Sequence, residues 1–91
     1  HKKEGRLMNK DITVYSKPNC GGCKLVKAWL DSNEIPYTET NVFEDEEGMS
    51  FIADNGFMGL PVTLVGDNIV DGANPIELEK ALNEVGHEVT L

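Results

Sequence analysis

With 91 residues, the chain is long enough for one hydrophobic core and too short for two, so its chemistry belongs to a single compact unit with its site at the surface. The 16 Asp and Glu outnumber the 8 Lys and Arg, giving a formal charge of -8; this argues against a nucleic-acid partner, because phosphate contacts need clustered cations. Hydrophobic residues make up 40% of the sequence and recur at ordered spacings, which excludes an intrinsically disordered chain.

No apolar run approaches the roughly 20 residues that span a bilayer, and residues 1–7 lack the apolar stretch of a signal peptide. The expected location is the cytoplasm, with no membrane partner. Met8 reads as a native start, so residues 1–7 are expected to be a vector-derived or disordered extension and residues 8–91 a single domain.

In chain order, residues 11–16 alternate and are rich in β-branched and aromatic side chains, as a buried strand should be. Lys17-Pro18-Asn19-Cys20-Gly21-Gly22 is turn-rich, and a helix is expected from about Gly21 to Ser32. At roughly 100° per residue, Cys23, Leu25, Val26, Trp29 and Leu30 fall on one arc of about 160°, with Lys24, Lys27 and Asp31 on the other side. Cys23 is therefore expected to be buried and Cys20, ahead of the helix, accessible. Residues 35–42 read as a second strand with Pro36 at its start. Glu44, Asp45, Glu46 and Glu47 suit the positive end of a second helix, whose apolar face is Met49, Ile52 and Ala53 and which ends near Asn55-Gly56.

Residues 61–65 and 68–71 flank Gly66-Asp67 and read as an antiparallel hairpin. The last helix has Asn74 as N-cap, Pro75 at its first position, Glu77 three residues after the cap, Gly86 as C-cap, and a core face of Leu78, Ala81, Leu82 and Val85. The order is βαβαββα. An α/β fold follows, with a right-handed parallel crossover in the first βαβ unit and three helices covering both faces of a four-stranded mixed sheet.

Two cysteines two residues apart, after a strand and opening a helix, are a strong redox signal. The helix N-terminus directs unpaired N–H groups at Cys20, and Lys17 and Lys24 are near in sequence; both effects favour a thiolate. A thiol whose pKa drops from about 8.5 to about 7 gains roughly 16-fold in thiolate at neutral pH, and loses about fivefold in nucleophilicity, for a net gain of about threefold. The larger advantage is a second thiol one helical turn away, because its attack on the mixed disulfide is intramolecular. In the expected mechanism Cys20 attacks a partner disulfide and Cys23 releases it by closing the Cys20–Cys23 bond. A stapling disulfide is the weaker reading, since so short a loop restricts few unfolded conformations. Zinc is weaker still, because only His1 and His87 accompany the two cysteines. Gly21 and Gly22 each lower helix propensity by about 1 kcal/mol relative to Ala; bare backbone beside the sulfur is expected to admit a bulky partner. Pro61 opens a strand, and by base rate alone its peptide bond is trans.

Across residues 12–82 the chain resembles the thioredoxin-fold superfamily, and within it the glutaredoxin-like NrdH-redoxins. The likeness rests on residues 12–24, including Pro18-Asn19-Cys20-Gly21-Gly22-Cys23-Lys24, on Gly56-Phe57-Met58-Gly59-Leu60-Pro61-Val62, and on residues 70–75. It implies a cis proline at Pro61 lying against the cysteine pair, with the backbone of Leu60 pairing with a bound partner chain. Lys17, Gly21, Gly22, Leu60, Pro61 and Gly72 become candidate partner-binding residues beside the catalytic Cys20 and Cys23. The implied function is a dithiol-disulfide oxidoreductase, with no bound cofactor beyond its own disulfide and no metal, acting as a monomer that donates electrons to ribonucleotide reductase and is reduced by thioredoxin reductase.

Two segments depart from the relatives. NrdH-redoxins usually carry an aromatic and a basic residue where this chain has residues 71–75. Glutathione-using glutaredoxins usually have Pro-Tyr between the cysteines and an acidic pair near the last helix, where this chain has Gly21-Gly22 and then Asn74 and Pro75. Lys17 can still meet a glutathione carboxylate, so glutathione stays open as the electron source. Lys27-Ala28-Trp29-Leu30-Asp31 and Glu34-Ile35-Pro36-Tyr37 also resemble arsenate-reductase and Spx-type proteins, which implies a redox-sensing regulator; the arsenate reductases have an Arg where Leu60 stands. An iron-sulfur carrier using Cys20 and glutathione is a third reading.

Overall fold

The structure, a computed structural model, describes residues 11–91. The extension expected at residues 1–7 lies outside the described residues. Strands β1 (Ile12–Ser16), β2 (Thr38–Asn41), β3 (Val62–Val65) and β4 (Asn68–Asp71) alternate with helices α1 (Gly21–Ser32), α2 (Glu46–Asp54) and α3 (Pro75–Glu84) in the expected βαβαββα order. The sheet runs β2-β1-β3-β4. β1 is parallel to β2, with Thr13 opposite Thr38 and Ser16 opposite Asn41, and antiparallel to β3, with Ile12 opposite Val65. The β3–β4 hairpin pairs Val65 with Asn68, as the Gly66-Asp67 turn predicts.

Alternation along β1 divides the interior in two. Ile12 and Val14 face a cluster built with Val26 and Leu30 of α1 and with Leu78, Ala81 and Leu82 of α3. Tyr15 faces the other way, toward Val42, Ile52, Val62, Phe51 and Phe57 around α2. The Tyr15 and Phe51 rings stack with centroids 4.9 Å apart. Gly48 fits α2 close to β2, because a Cβ there would stand 2.9 Å from Thr40 Cγ2.

Four boundaries and faces differ from expectation. The β2 ladder covers Thr38–Asn41 only. Residues 35–37 enter it from the end of α1, where the Ile35 N–H donates to the Leu30 carbonyl at 2.9 Å. α2 begins at Glu46 with Asp45 as N-cap, its side chain accepting the Gly48 N–H at 3.1 Å. Leu25 and Met49, assigned to core faces by periodicity, are 51% and 42% exposed, because the buried stripes of these short helices are narrower than the predicted arcs: Cys23, Val26 and Leu30 in α1, Gly48 and Ile52 in α2. Val85 is the C-cap of α3, and Gly86, one position later, takes the left-handed conformation at φ 101°.

All three helices end in the same way. The N–H groups one and two residues past each C-cap return to carbonyls of the last turn, as in His87 N to Leu82 O at 3.0 Å and Phe57 N to Ile52 O at 3.1 Å. The left-handed position is Gly56 after α2 and Gly86 after α3, but Glu34, with φ 57°, after α1. A side chain there costs energy that glycine does not. Glu34→Gly is therefore expected to raise stability by about 0.5–1 kcal/mol, measured as an upward shift of the urea midpoint with unchanged slope; a lower midpoint would contradict it.

Candidate active site

β1 delivers the chain to the carboxyl end of the sheet, between β2 and β3, where the direction of pairing switches; open α/β sheets characteristically place their sites there. Asn19, at φ 58°, turns the chain left-handed, and Cys20 becomes the N-cap of α1 in extended conformation. Asn tolerates that region better than most residues, and no glycine is available before the cysteine. Cys20 Sγ accepts the backbone N–H of Cys23 at 3.1 Å, a capping role usually filled by oxygen.

Cys20 and Cys23 are joined as a disulfide, with Cα atoms 5.2 Å apart. Cys23 is 1% exposed and Cys20 7%. The expectation of an accessible Cys20 is thus corrected: capping, the disulfide and an overlying turn leave only an edge of the residue in solvent. That turn comes from forty residues on, where the Leu60 carbonyl oxygen lies 3.8 Å from Cys20 Sγ. Once the disulfide opens, this oxygen is within reach of a thiol S–H.

The Leu60–Pro61 peptide bond is cis, where base rates would make it trans and the family resemblance implies cis. Pro61 explains Gly22: a Cβ at Gly22 would stand 3.0 Å from Pro61 Cδ and 3.4 Å from the Ala73 Cβ. Gly22 therefore serves internal packing, whereas a Cβ at Gly21 meets nothing within 4 Å. Gly72, at φ 83°, donates its N–H to the Pro61 carbonyl at 2.9 Å. The structure thus brings Cys20, Gly22, Leu60, Pro61 and Gly72 together, with Cys23 beneath and Gly21 at the open rim.

Lys17 lies on the other side of the disulfide, in a cleft of about 170 Å³ that it shares with Ser16, Lys24, Lys27, Glu39 and both cysteines. Sequence reasoning left Lys27 on a solvated face and assigned no role to Glu39 or Ser16. In the structure the Lys27 ammonium donates to Glu39 Oε2 at 2.7 Å, and the buried Ser16 hydroxyl donates to the same oxygen at 2.9 Å. The hydrogen bond from Lys27, and then that from Ser16, hold the Glu39 carboxyl below its ordinary range; the same bond raises Lys27. The parallel register of the structure places Glu39 opposite Val14 and so on the α1 face, a placement that no local pattern in the sequence marked. Among the described residues, no group of three or more His, Cys, Asp or Glu is arranged to hold a metal, and no helix is long and apolar enough to cross a membrane.

A sheltered cysteine pair capping the helix that follows the central strand is the site of a thiol-disulfide oxidoreductase, and comparison with known proteins identifies the branch. The family model described as Glutaredoxin matches residues 12–70. The glutaredoxin-like protein NrdH of Lactococcus lactis subsp. cremoris is 42% identical over 69 residues, covering 76% of this chain and 96% of that protein. The solved structure of the NrdH-redoxin from Escherichia coli superimposes with a TM-score of 0.73 at 26% identity, covering 77% of this chain and 92% of that one. The global transcriptional regulator Spx 1 of Bacillus cereus is 53% identical over 34 residues, 37% of this chain but only 26% of that protein. The chain belongs to the glutaredoxin family. It is an NrdH-like thiol-disulfide oxidoreductase with a thioredoxin-like fold.

Two outcomes follow from the geometry. Gly22→Ala is expected to displace the Leu60–Pro61 turn and slow disulfide exchange roughly tenfold or more, of the order a small misplacement produces, while Gly21→Ala, which leaves that turn in place, slows exchange less and gains up to about 1 kcal/mol of stability from helix propensity. Rates of insulin reduction for the two variants check this; equal effects would refute it. Glu39→Gln addresses the ion pair. Because its folded value is depressed, Glu39 contributes stability above the ordinary carboxylate range and loses it as pH falls through that folded value. With Glu39 42% exposed, the variant should be less stable by no more than about 1 kcal/mol at neutral pH. Urea midpoints of the two proteins should converge on acidification; a gap that persists in acid would contradict the assignment.

Proposed function

We propose that this protein is a cytoplasmic, monomeric dithiol donor that passes electrons to ribonucleotide reductase, supplying deoxyribonucleotide synthesis, and that thioredoxin reductase regenerates it. Cys20 is the attacking sulfur. Its thiolate breaks the partner disulfide, forming a mixed disulfide and releasing one partner thiolate, which takes a proton. Cys23 then loses its proton and attacks Cys20 Sγ, and the second partner thiolate leaves. The partner gains two electrons and two protons, and the Cys20–Cys23 disulfide forms.

The observation that carries the reading is the Cys23 N–H directed at Cys20 Sγ from 3.1 Å. It favours negative charge on Cys20, and with the helix dipole makes Cys20 both the better nucleophile and the better leaving group. Gly21, with open space around it, and the Leu60 backbone beside the sulfur supply the surfaces on which a partner chain would lie; Gly22, Pro61 and Gly72 hold that backbone in place. Lys17 flanks the approach.

Against glutathione as the electron source stands the segment where glutathione-using relatives carry an acidic pair. Asn74 Oδ1 is already engaged, accepting the Glu77 N–H at 3.2 Å, and Pro75 begins α3. The tripeptide's amino group has no evident partner there. A regulatory role like that of Spx draws on one segment only, since the similarity covers 26% of that protein's length.

Two measurements test the proposal. Cys23→Ser should accumulate a covalent mixed disulfide with an added disulfide substrate, seen by mass spectrometry, and Cys20→Ser should lose nearly all activity. The oxidised wild-type protein should regain its thiols with NADPH and thioredoxin reductase, and not with glutathione and glutathione reductase; turnover with the glutathione system alone would reverse the choice of electron source.

A further inference from the structure

Cations are scarce in the described part of this acidic chain: Lys17, Lys24, Lys27 and Lys80 are its only Lys or Arg. Three of these four line the cleft that contains both cysteines, while Lys80 lies on α3 beside Glu77 and Glu84. Neither Lys17 nor Lys24 is paired with a carboxylate among the described residues, and both are exposed. Glu39 is the one carboxylate lining the cleft, and it is held by Lys27 at 2.7 Å, so the local balance is positive.

The helix termini make the placement more pointed. α2 opens with Glu46 and Glu47 in its first turn and α3 with Glu77, as the dipole favours, whereas α1 has no acid in its first turn and Lys24 follows Cys23 directly. A cation near the positive end of a helix is unfavourable for the helix itself. In a chain this rich in Asp and Glu, stability alone would place an acid there.

We propose that Lys17, Lys24 and Lys27 select protein disulfides carried on acidic segments, with carboxylates flanking the target cysteines seated in the cleft on the β2 side while the Leu60 backbone receives the chain on the β3 side. The proposal rests on the reading above in taking Cys20 as the attacking sulfur. The net charge of -8 repels such a segment at long range, but at physiological ionic strength charges beyond about 8 Å are largely screened. Close to the disulfide, the lysines and the amino end of α1 dominate the field that an incoming chain meets.

The test uses the reduced protein and three synthetic peptides containing the same intramolecular disulfide, flanked by Glu, Gln or Lys, with oxidised glutathione as a fourth substrate. Rates are followed by Trp29 fluorescence or quenched-flow mass spectrometry. At about 0.15 M salt the Glu peptide should react about tenfold faster than the Lys peptide, and the ratio should approach one at about 1 M, where the Debye length is about 3 Å. Lys17→Gln with Lys24→Gln should bring the Glu-to-Gln ratio close to one. Glu39→Gln, which releases Lys27 and removes the one carboxylate, should raise it. Because both rates in each ratio use the same Cys20, a lysine acting only through thiolate ionisation leaves the ratio unmoved. Equal rates for the three peptides, or a ratio indifferent to the lysine variants, would overturn the proposal alone. An effect confined to oxidised glutathione would overturn it too, assigning the lysines to that tripeptide's carboxylates. Failure to reduce any of the peptides would overturn the underlying reading together with it.

Discussion

A sulfur caps α1 where most helices use an oxygen, and the site is organised around that substitution. The Cys23 N–H reaches Cys20 Sγ at 3.1 Å, so the first turn of the helix is completed by the atom that also carries the redox bond. A sulfur is larger and softer than a hydroxyl oxygen, and as a neutral acceptor it is weaker; as a thiolate it becomes a charged acceptor, and such hydrogen bonds are roughly twice as strong. The hydrogen bond that completes the helix terminus is therefore one that negative charge on Cys20 would strengthen.

Access to that sulfur is governed by a segment distant in sequence. Pro61 packs where a side chain on Gly22 would stand, the Gly72 N–H ties the Pro61 carbonyl to the end of β4, and the Leu60 carbonyl stands 3.8 Å from Cys20 Sγ. These contacts link the start of α1, the start of β3 and the loop into α3 into one assembly. The departure at residues 71–75 leaves that closure intact, because Gly72 makes it through its backbone bond to Pro61, while the exposed Asn74 side chain caps α3 by accepting the Glu77 N–H. The aromatic and basic side chains usual in relatives are not needed for those bonds.

What could be read in the sequence was what local periodicity and spacing encode. The cysteine pair, α1, the Gly66-Asp67 hairpin and the Asn74-Pro75 helix start all rest on residues within one turn or one hairpin of each other. The limits of β2 did not, because Thr38-Glu39-Thr40-Asn41 is an edge strand exposed or only partly buried at every position, with no apolar alternation to mark it. Local pattern did not reveal the shielding of Cys20 either, since it depends on the Leu60 turn, which only the family resemblance set against the cysteine pair. Nor did it reveal the Ser16–Glu39–Lys27 group, which joins residues 12 and 23 positions apart across the β1–β2 pair and the helix above it. Glu34 escaped notice because glycine ordinarily marks the position it fills.

The Glu39 carboxylate shows how a polar group at a parallel pair can serve structure and site together. β1 and β2 meet through only four registered positions, and α1 must lie over them for Cys23 to be buried. Ser16 belongs to β1, Glu39 to β2 and Lys27 to α1, so one carboxylate oxygen fastens the three elements of the first βαβ unit directly beneath the redox pair. An apolar side chain at position 39 would cover the edge equally well but would leave the buried Ser16 hydroxyl without an acceptor, and buried hydroxyls are costly when unpaired. The same carboxylate absorbs the charge of Lys27 and leaves that of Lys17 and Lys24 facing the cleft. The contact that joins α1 to the β1–β2 pair is thus also the one that pairs Lys27 within the cleft lined by both cysteines.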